Sequence, residues 1–412
     1  MKSARSLISL TDRNYRWLWT AMWFWYSARW MELVVLAYMV LVITGSPAIV
    51  GSVTFVRLIL VMSGPLLGLV ADRINRYKMI FLIQLVNLMC MVTMFVTSLT
   101  NVINLPLIYG IACIMGLGYA ADYAARRPFI ADLVSKDKLT NAVSIDTIAQ
   151  MGSKVAGPLL AGLVLSQWNI TGSYFVISLM YLIGILVFIP VKSDNNKSQT
   201  GISIGALWQG IQLVGKHSIL RSTILLVVLM NLLIFPFMTL LPTFARDVLF
   251  IDASQLGILA AADGIGAVIG TSIIAYRSTF ITSHGKWFAY SVALAPLCVG
   301  LFAISNDYTL SFVALIFMGI CLGIYTTMEF TLILLHTGEK VRGRAMGILT
   351  MAIGNIAVGW LIGGLLAETY GPQMAILVMS AIGFVGIWVV LFTCPDMWKP
   401  TQINLERGSL KH

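Results

Sequence analysis

The sequence predicts an all-α membrane protein of twelve transmembrane helices, and three observations carry that prediction. Of the 412 residues, 58% are hydrophobic and only 11% are charged, against about 25% charged in soluble domains. Apolar stretches long enough to cross about 30 Å of hydrocarbon as helices recur along the whole chain. They fall at 17–43, 48–71, 79–100, 104–126, 141–167, 170–190, 219–245, 253–276, 286–304, 308–335, 345–367 and 372–394. Laid out as alternating crossings, they put 23 of the 27 Lys and Arg residues on one side. The opposite loops hold only Arg246, and Arg29, Arg57 and Lys154 fall inside helices.

Positive residues stay cytoplasmic, so both termini are expected inside, in the cell's inner (cytoplasmic) membrane. The formal net charge of +10 then reflects topology and anionic lipid headgroups, and no nucleic-acid partner is expected. Residues 1–16 are basic, but the apolar stretch after them is a full span rather than a cleavable signal. Cys90, Cys113, Cys298, Cys321 and Cys394 all lie within or at the end of spans. An odd number in that placement argues against a disulfide framework.

The longest polar interruption is Val191 to Ser218. Its first part reads as a linker. Its second part spaces Ile204, Leu207, Trp208, Ile211 and Val214 as a helix in the membrane interface would, although a plain connector fits as well. On either side the sequence echoes itself. "GPLLAGLV" from Gly157 answers "GWLIGGLL" from Gly359, and "VGSV" from Val50 answers "LGIL" from Leu256. The offsets of 202 and 206 are those of a six-span duplication, as in transporters built from parallel repeats. The expected organisation is an N-terminal six-helix bundle at 1–190, a cytoplasmic linker at 191–218, and a C-terminal six-helix bundle with a cytoplasmic tail at 219–412.

The motifs now on the page resemble those of the major facilitator superfamily. "GLVADRINRYK", Gly68 to Lys78, is similar to that family's Gly-x-x-x-Asp-Arg-x-Gly-Arg-Arg signature between spans two and three. Gly68, Asp72, Arg73 and Arg76 match, while Asn75 replaces a glycine and Tyr77 takes the last basic position. "SKVAGPLLAG" resembles the antiporters' span-five motif through Gly157, Pro158 and Gly162, with Ser153 and Ala161 where glycines are usual. "AARRPFIADLVSKDKLTNAVSI", "LLPTFARDVLF" and "RGRAMGIL" look like the branch that includes enterobactin and macrolide exporters. The resemblance runs from Asn14 to about Cys394. It implies the two-bundle major facilitator fold and a cytoplasmic gate in which Asp72 faces the positive end of the helix starting near Ala345. Arg126 is a candidate partner for Asp72.

Seven charges fall where they are costly. Arg29, Glu32, Arg57, Lys154 and Asp263 lie near mid-span, and Asp122 and Glu329 nearer span ends. An ionised group at the bilayer centre costs roughly 3 kcal/mol or more, so these residues should face a polar cavity or one another. Arg29 with Glu32, and Asp122 with Arg126, share helix faces at three and four residues' spacing. Asp263 and Glu329 have no basic neighbour in their own helices, which makes them the candidates for carrying a proton. Arg57 is the preferred partner for Asp263 under the repeat offset, and Arg57 and Lys154 together could also neutralise Asp263 and Glu329. Tyr26, Trp30 and Phe235 could stack on an aromatic solute or simply pack, and Pro236 after Asn231 predicts a bend.

His217, His284 and His336 are scattered. No metal-binding pair, nucleophile elbow or phosphate-cradling loop is present, so no enzyme activity, metal or cofactor is expected. Energy would come from an ion gradient. The reading is a secondary transporter, expected to be monomeric, exporting a small amphiphilic solute such as a siderophore or drug against protons by rocker-switch alternating access. An importer or facilitator on the same fold is the alternative, and a non-transporting membrane sensor a more distant one.

Overall fold

The computed structural model describes residues 8–63, 75–135, 138–192, 212, 214–215, 217–277, 281, 283–337 and 339–399. Gly68, Asp72 and Arg73 and most of the 191–218 linker lie outside the described residues. Within them the chain is helical and contains no strand. The helices are α1 (Arg13–Thr44), α2 (Pro47–Ile59), α3 (Arg76–Leu99), α4 (Leu105–Leu133), α5 (Leu139–Phe188) and α6 (Ser218–Leu229). They continue with α7 (Phe237–Phe244), α8 (Ala253–Arg277), α9 (His284–Ile304), α10 (Tyr308–Leu335), α11 (Glu339–Gly354) and α12 (Ile356–Thr393).

Short polar residues set the helix starts. Ser46, Asn75, Asn104 and Asp307 each accept the backbone N–H three residues on, satisfying one of the donors that a helix start leaves free. Pro47 follows Ser46 at the first helical position, where its missing N–H costs nothing. Gly45 closes α1 with φ 69°. Such ends let the chain reverse in a few residues and send the next helix back.

Among the described residues nine helices are long and apolar enough to cross a membrane, and Pro47–Met62 is a shorter apolar one. Two of the nine, Asn141–Phe188 and Arg344–Thr393, run 48 and 50 residues. At about 1.5 Å per residue that is over twice the bilayer's hydrocarbon thickness. Each breaks inside: Asn169 takes φ 59°, and Gly371 takes φ 81° directly before Pro372. The sequence expects span junctions at these two places. Between α6 and α7 the helix takes a π-turn at Met230–Ile234 ahead of Pro236, where a bend is predicted, and a second follows α7 at Ala245–Leu249.

The buried apolar side chains form two clusters, one drawn from Tyr15 to Val191 and the other from Val214 to Met397. The most extensive helix contacts between them are α5 on α8 and α2 on α12. Both are made through glycines of the sequence echoes. A Cβ on Gly162 would lie 2.7 Å from Gly257 Cα, and one on Gly364 would lie 3.0 Å from Gly51 Cα. The echo therefore meets itself reciprocally, with Gly162 on Gly257 and Gly364 on Gly51. Lipid tails are as apolar as leucine, so close backbone approach rather than hydrophobic exclusion holds such helices together. Gly157 and Gly359 also occupy corresponding places. Gly157 lies against Ser27, Trp30 and Met31, and Gly359 against Asn231 and Leu232. Near residue 368 a polar tie is added: Ser46 Oγ donates to the Glu368 carboxylate at 2.7 Å, and Ala48 N at 3.3 Å.

A large side chain at these crossings has nowhere to go. Gly257→Leu and Gly364→Leu should each destabilise by about 1–3 kcal/mol, the range for overpacking, and lower the thermal unfolding midpoint in detergent. Gly110→Leu, where an added Cβ meets nothing within 4 Å, should stay near the parent.

Candidate functional site

Between the two clusters lies a cavity walled by apolar side chains, among them Leu33, Phe237, Leu259, Leu315 and Trp360. Two polar features break the wall. Thr54 and Thr239 bring their hydroxyls to 3.3 Å across α2 and α7. Lys154 Nζ donates to Asp263 Oδ2 at 2.6 Å, joining α5 to α8. Both side chains of that pair are more than nine-tenths buried. Lys154 Nζ also lies 5.6 Å from the centre of the Trp30 ring, within cation–π range. Gly264, next to Asp263, lets the two helices close: a Cβ there would sit 3.1 Å from Lys154 O. Pro158 lines the same cavity one helical turn beyond Lys154.

A second polar group sits inside the N-terminal cluster. Arg57 pairs with Glu32, linking α2 to α1, and Arg126 pairs with Asp122 one turn earlier on α4. Gln84 donates to Asp122 at 3.1 Å, and Asn87 donates to Gln84 at 3.2 Å. The Arg126 guanidinium lies over Tyr26 at 4.5 Å, and the Tyr26 hydroxyl donates to Asp146 at 2.9 Å. Gln150 donates to Asp146 as well, at 2.9 Å. Arg29 lies 4.0 Å over the Tyr119 ring and makes no ion pair among the described residues. A small polar cavity is walled by Arg29, Arg57, Tyr119, Asp122 and Arg126.

Glu329 stands apart, buried in the C-terminal cluster beside Tyr325. Its Oε2 has no hydrogen-bond partner among the described residues, and no cation pairs with it there. Asn231, in the π-turn, donates to Val227 O at 2.9 Å and to the Tyr325 hydroxyl at 3.4 Å.

Several sequence-based pairings change. Asp263 is met by Lys154 and not by Arg57, because Arg57 already neutralises Glu32 within its own cluster. Glu32 consequently does not pair with Arg29 despite their shared helix face. Arg126 is engaged by Asp122 in the spacing expected, while Asp72, its other candidate partner, lies outside the described residues. Arg76 pairs with Asp132 at 2.7 Å, joining the start of α3 to the end of α4. Tyr26 is occupied by Arg126 and Asp146, and Phe235 packs on Tyr325 inside the core. Of the three aromatic candidates only Trp30 lines the central cavity.

Sequence reasoning passed over Asp146, Gln84, Asn87, Gln150 and Tyr119. A signal existed for Gln84 and Asn87, since polar side chains within spans need partners. No group of three or more His, Cys, Asp or Glu suited to a metal ion occurs among the described residues.

Residues 4–405 match the family model described as transmembrane secretion effector. The chain belongs to this family, within the major facilitator superfamily. Staphyloferrin A transporter of Staphylococcus aureus is 20% identical over 94% of this chain and 96% of its own length. Enterobactin exporter EntS of Salmonella choleraesuis is 23% identical over 78% of this chain and 77% of its own. Among solved structures, a bacterial homologue of the human lysosomal transporter Spinster superposes with a TM-score of 0.73 at 14% identity. That match covers 95% of this chain and all of the other. The fold is that of the major facilitator transporters. The chain is a multi-pass membrane transporter of small molecules, and its relatives are transporters rather than enzymes.

Removing one member of a buried ion pair strands the other, at about 3–5 kcal/mol. Lys154→Ala and Asp263→Ala should each lower the unfolding midpoint by that order. The double variant Lys154→Met with Asp263→Leu should recover most of the loss, which a double-mutant cycle of midpoints would show.

Proposed function

We propose that this transporter exports a small amphiphilic solute, of siderophore or drug type, in exchange for protons. The observation that carries the reading is the Lys154–Asp263 pair, which ties the two clusters together at the wall of the central cavity. A proton on Asp263 cancels the charge that holds Lys154, and with it the tie. Lys154 is then free to meet an acidic group of the solute, and the surrounding apolar wall suits the rest of an amphiphile. Solute and proton thus compete for opposite members of one pair, which is the logic of exchange. The relatives named for staphyloferrin A transport and enterobactin export support a cargo of this kind.

Residues 1–190 and 219–412 are the two six-helix bundles in this reading, giving twelve crossings with both termini cytoplasmic. The cavity of about 70 Å³ is far below the roughly 300–1,000 Å³ of sites that bury a drug-sized ligand. Loading therefore requires the bundles to part, on one side at a time, as alternating access demands. Arg29, Glu32, Arg57 and Asp122 shape the polar wall of the first bundle. Pro158 and Gly162 lie on the surface on which the bundles rock, and Gly157 packs α5 against α1 behind it. Gly68, Asp72, Arg73, Arg76 and Arg126 belong to the cytoplasmic gate. Glu329, without a counter-cation among the described residues, is the second place for a proton to ride.

Proteoliposomes with an imposed pH gradient test direction and coupling together. Export against protons predicts accumulation only when the gradient drives protons opposite to the solute, and loss of accumulation with a protonophore. Asp263→Asn should abolish gradient-driven accumulation while leaving downhill exchange, and Glu329→Gln should accumulate like the parent. If those two phenotypes trade places, coupling resides at Glu329. If both variants accumulate like the parent, exchange with protons is wrong. Accumulation with the opposite gradient would make the protein an importer. Asp72→Asn should lose most transport while folding normally, seen as greater cysteine accessibility from the cytoplasmic side.

A further inference from the structure

Away from the central cavity, a groove of about 620 Å³ is lined by α9 and α10. Its walls are graded along the helices. At the His284 end stand Ser283 and Lys286, then Trp287 and Tyr290, and deeper in the membrane Leu294 and Phe317. Tyr290, Leu294 and Phe317 are each more than half exposed. Lys286 makes no ion pair among the described residues. The nearby charges at this end, Lys399 and Asp396, neutralise each other at 2.7 Å, and Trp398 between them in sequence packs edge-on against Tyr290.

From this gradient we infer that the groove is a binding site for one anionic glycerophospholipid. Its phosphate group meets Lys286 and the Ser283 hydroxyl, and an acyl chain lies along Leu294 and Phe317. The occupant follows from charge and length. A lone ammonium group at the interface attracts an anionic headgroup, and the aromatic pair below it stands where headgroup gives way to hydrocarbon. An apolar trough continuing from that point into the membrane fits a chain and not a soluble anion. The volume falls in the roughly 300–1,000 Å³ range of ligand sites. The proposal does not rest on the transport reading, since the groove shares no residue with the central cavity.

The test is lipid retention on purified full-length protein, delipidated and then titrated with phosphatidylglycerol or phosphatidylcholine and read by native mass spectrometry. The parent should hold one phosphatidylglycerol with clear preference over phosphatidylcholine. Lys286→Gln should weaken phosphatidylglycerol about fivefold, the size of one basic contact at the surface, and erase the preference. Leu294→Trp, which fills the trough, should weaken both lipids. Arg221→Gln, which removes one charge from the start of α6 and leaves the groove intact, should change nothing, and unchanged unfolding midpoints would establish that the variants fold. The proposal is overturned if the parent shows no headgroup preference, or if Arg221→Gln weakens binding as much as Lys286→Gln. It is equally overturned if Leu294→Trp retains lipid as the parent does.

Discussion

An ionised side chain deep in hydrocarbon costs several kcal/mol unless something nearby answers it, and this chain buries eight Asp, Glu, Lys and Arg side chains among its described residues. Six of them resolve into three pairs, Glu32 with Arg57, Asp122 with Arg126 and Lys154 with Asp263. Two of the pairs link different helices, so neutralising the charge also decides which helices stand side by side. A buried pair adds little net stability over well-packed apolar residues. Its value here is selective, because any arrangement that separates partners leaves a charge exposed to lipid.

The two joining surfaces and the charges follow different symmetries. The glycine crossings are reciprocal, Gly162 on Gly257 and Gly51 on Gly364, as a duplicated architecture requires. The charges are not. Among the described residues, the polar network centred on Asp122, Arg126 and Asp146 has no counterpart in the C-terminal cluster, where Glu329 lies beside Tyr325. Backbone contact is constrained by the geometry of helix approach and repeats with it. Side-chain chemistry is under no such constraint, and the two clusters differ in electrostatic character.

Much of the architecture was legible because it rests on local signals. Apolar run length marks spans, and the glycine echoes mark equivalent places in the two halves. The junctions at Asn169 and Gly371 were expected to within a few residues. Pairing was less legible. The presence of charges in spans was plain, but their partners depend on helix rotation. The repeat offset placed Arg57 opposite Asp263 in the pattern, whereas rotation turns it toward Glu32 and gives Asp263 to Lys154. Asp146 was missed because it lies near a span end, where an acid needs no special account until the Tyr26 hydroxyl is seen pointing at it. The signature acid Asp72 lies outside the described residues, so its role rests on resemblance alone.

The π-turn at Met230–Ile234 has a consequence for the cavity wall beyond it. A π-turn holds an extra residue relative to the regular helix, and each residue of an α-helix advances the side-chain direction by about 100°. Phe237, Met238, Thr239 and Pro242 face the cavity only because that extra residue is counted in. The register of one irregular turn, placed where Pro236 cannot supply an amide hydrogen, thus selects which stripe of the helix the cargo would touch. An insertion or deletion of a single residue there would turn α7 by about 100° and bring a different flank to the cavity.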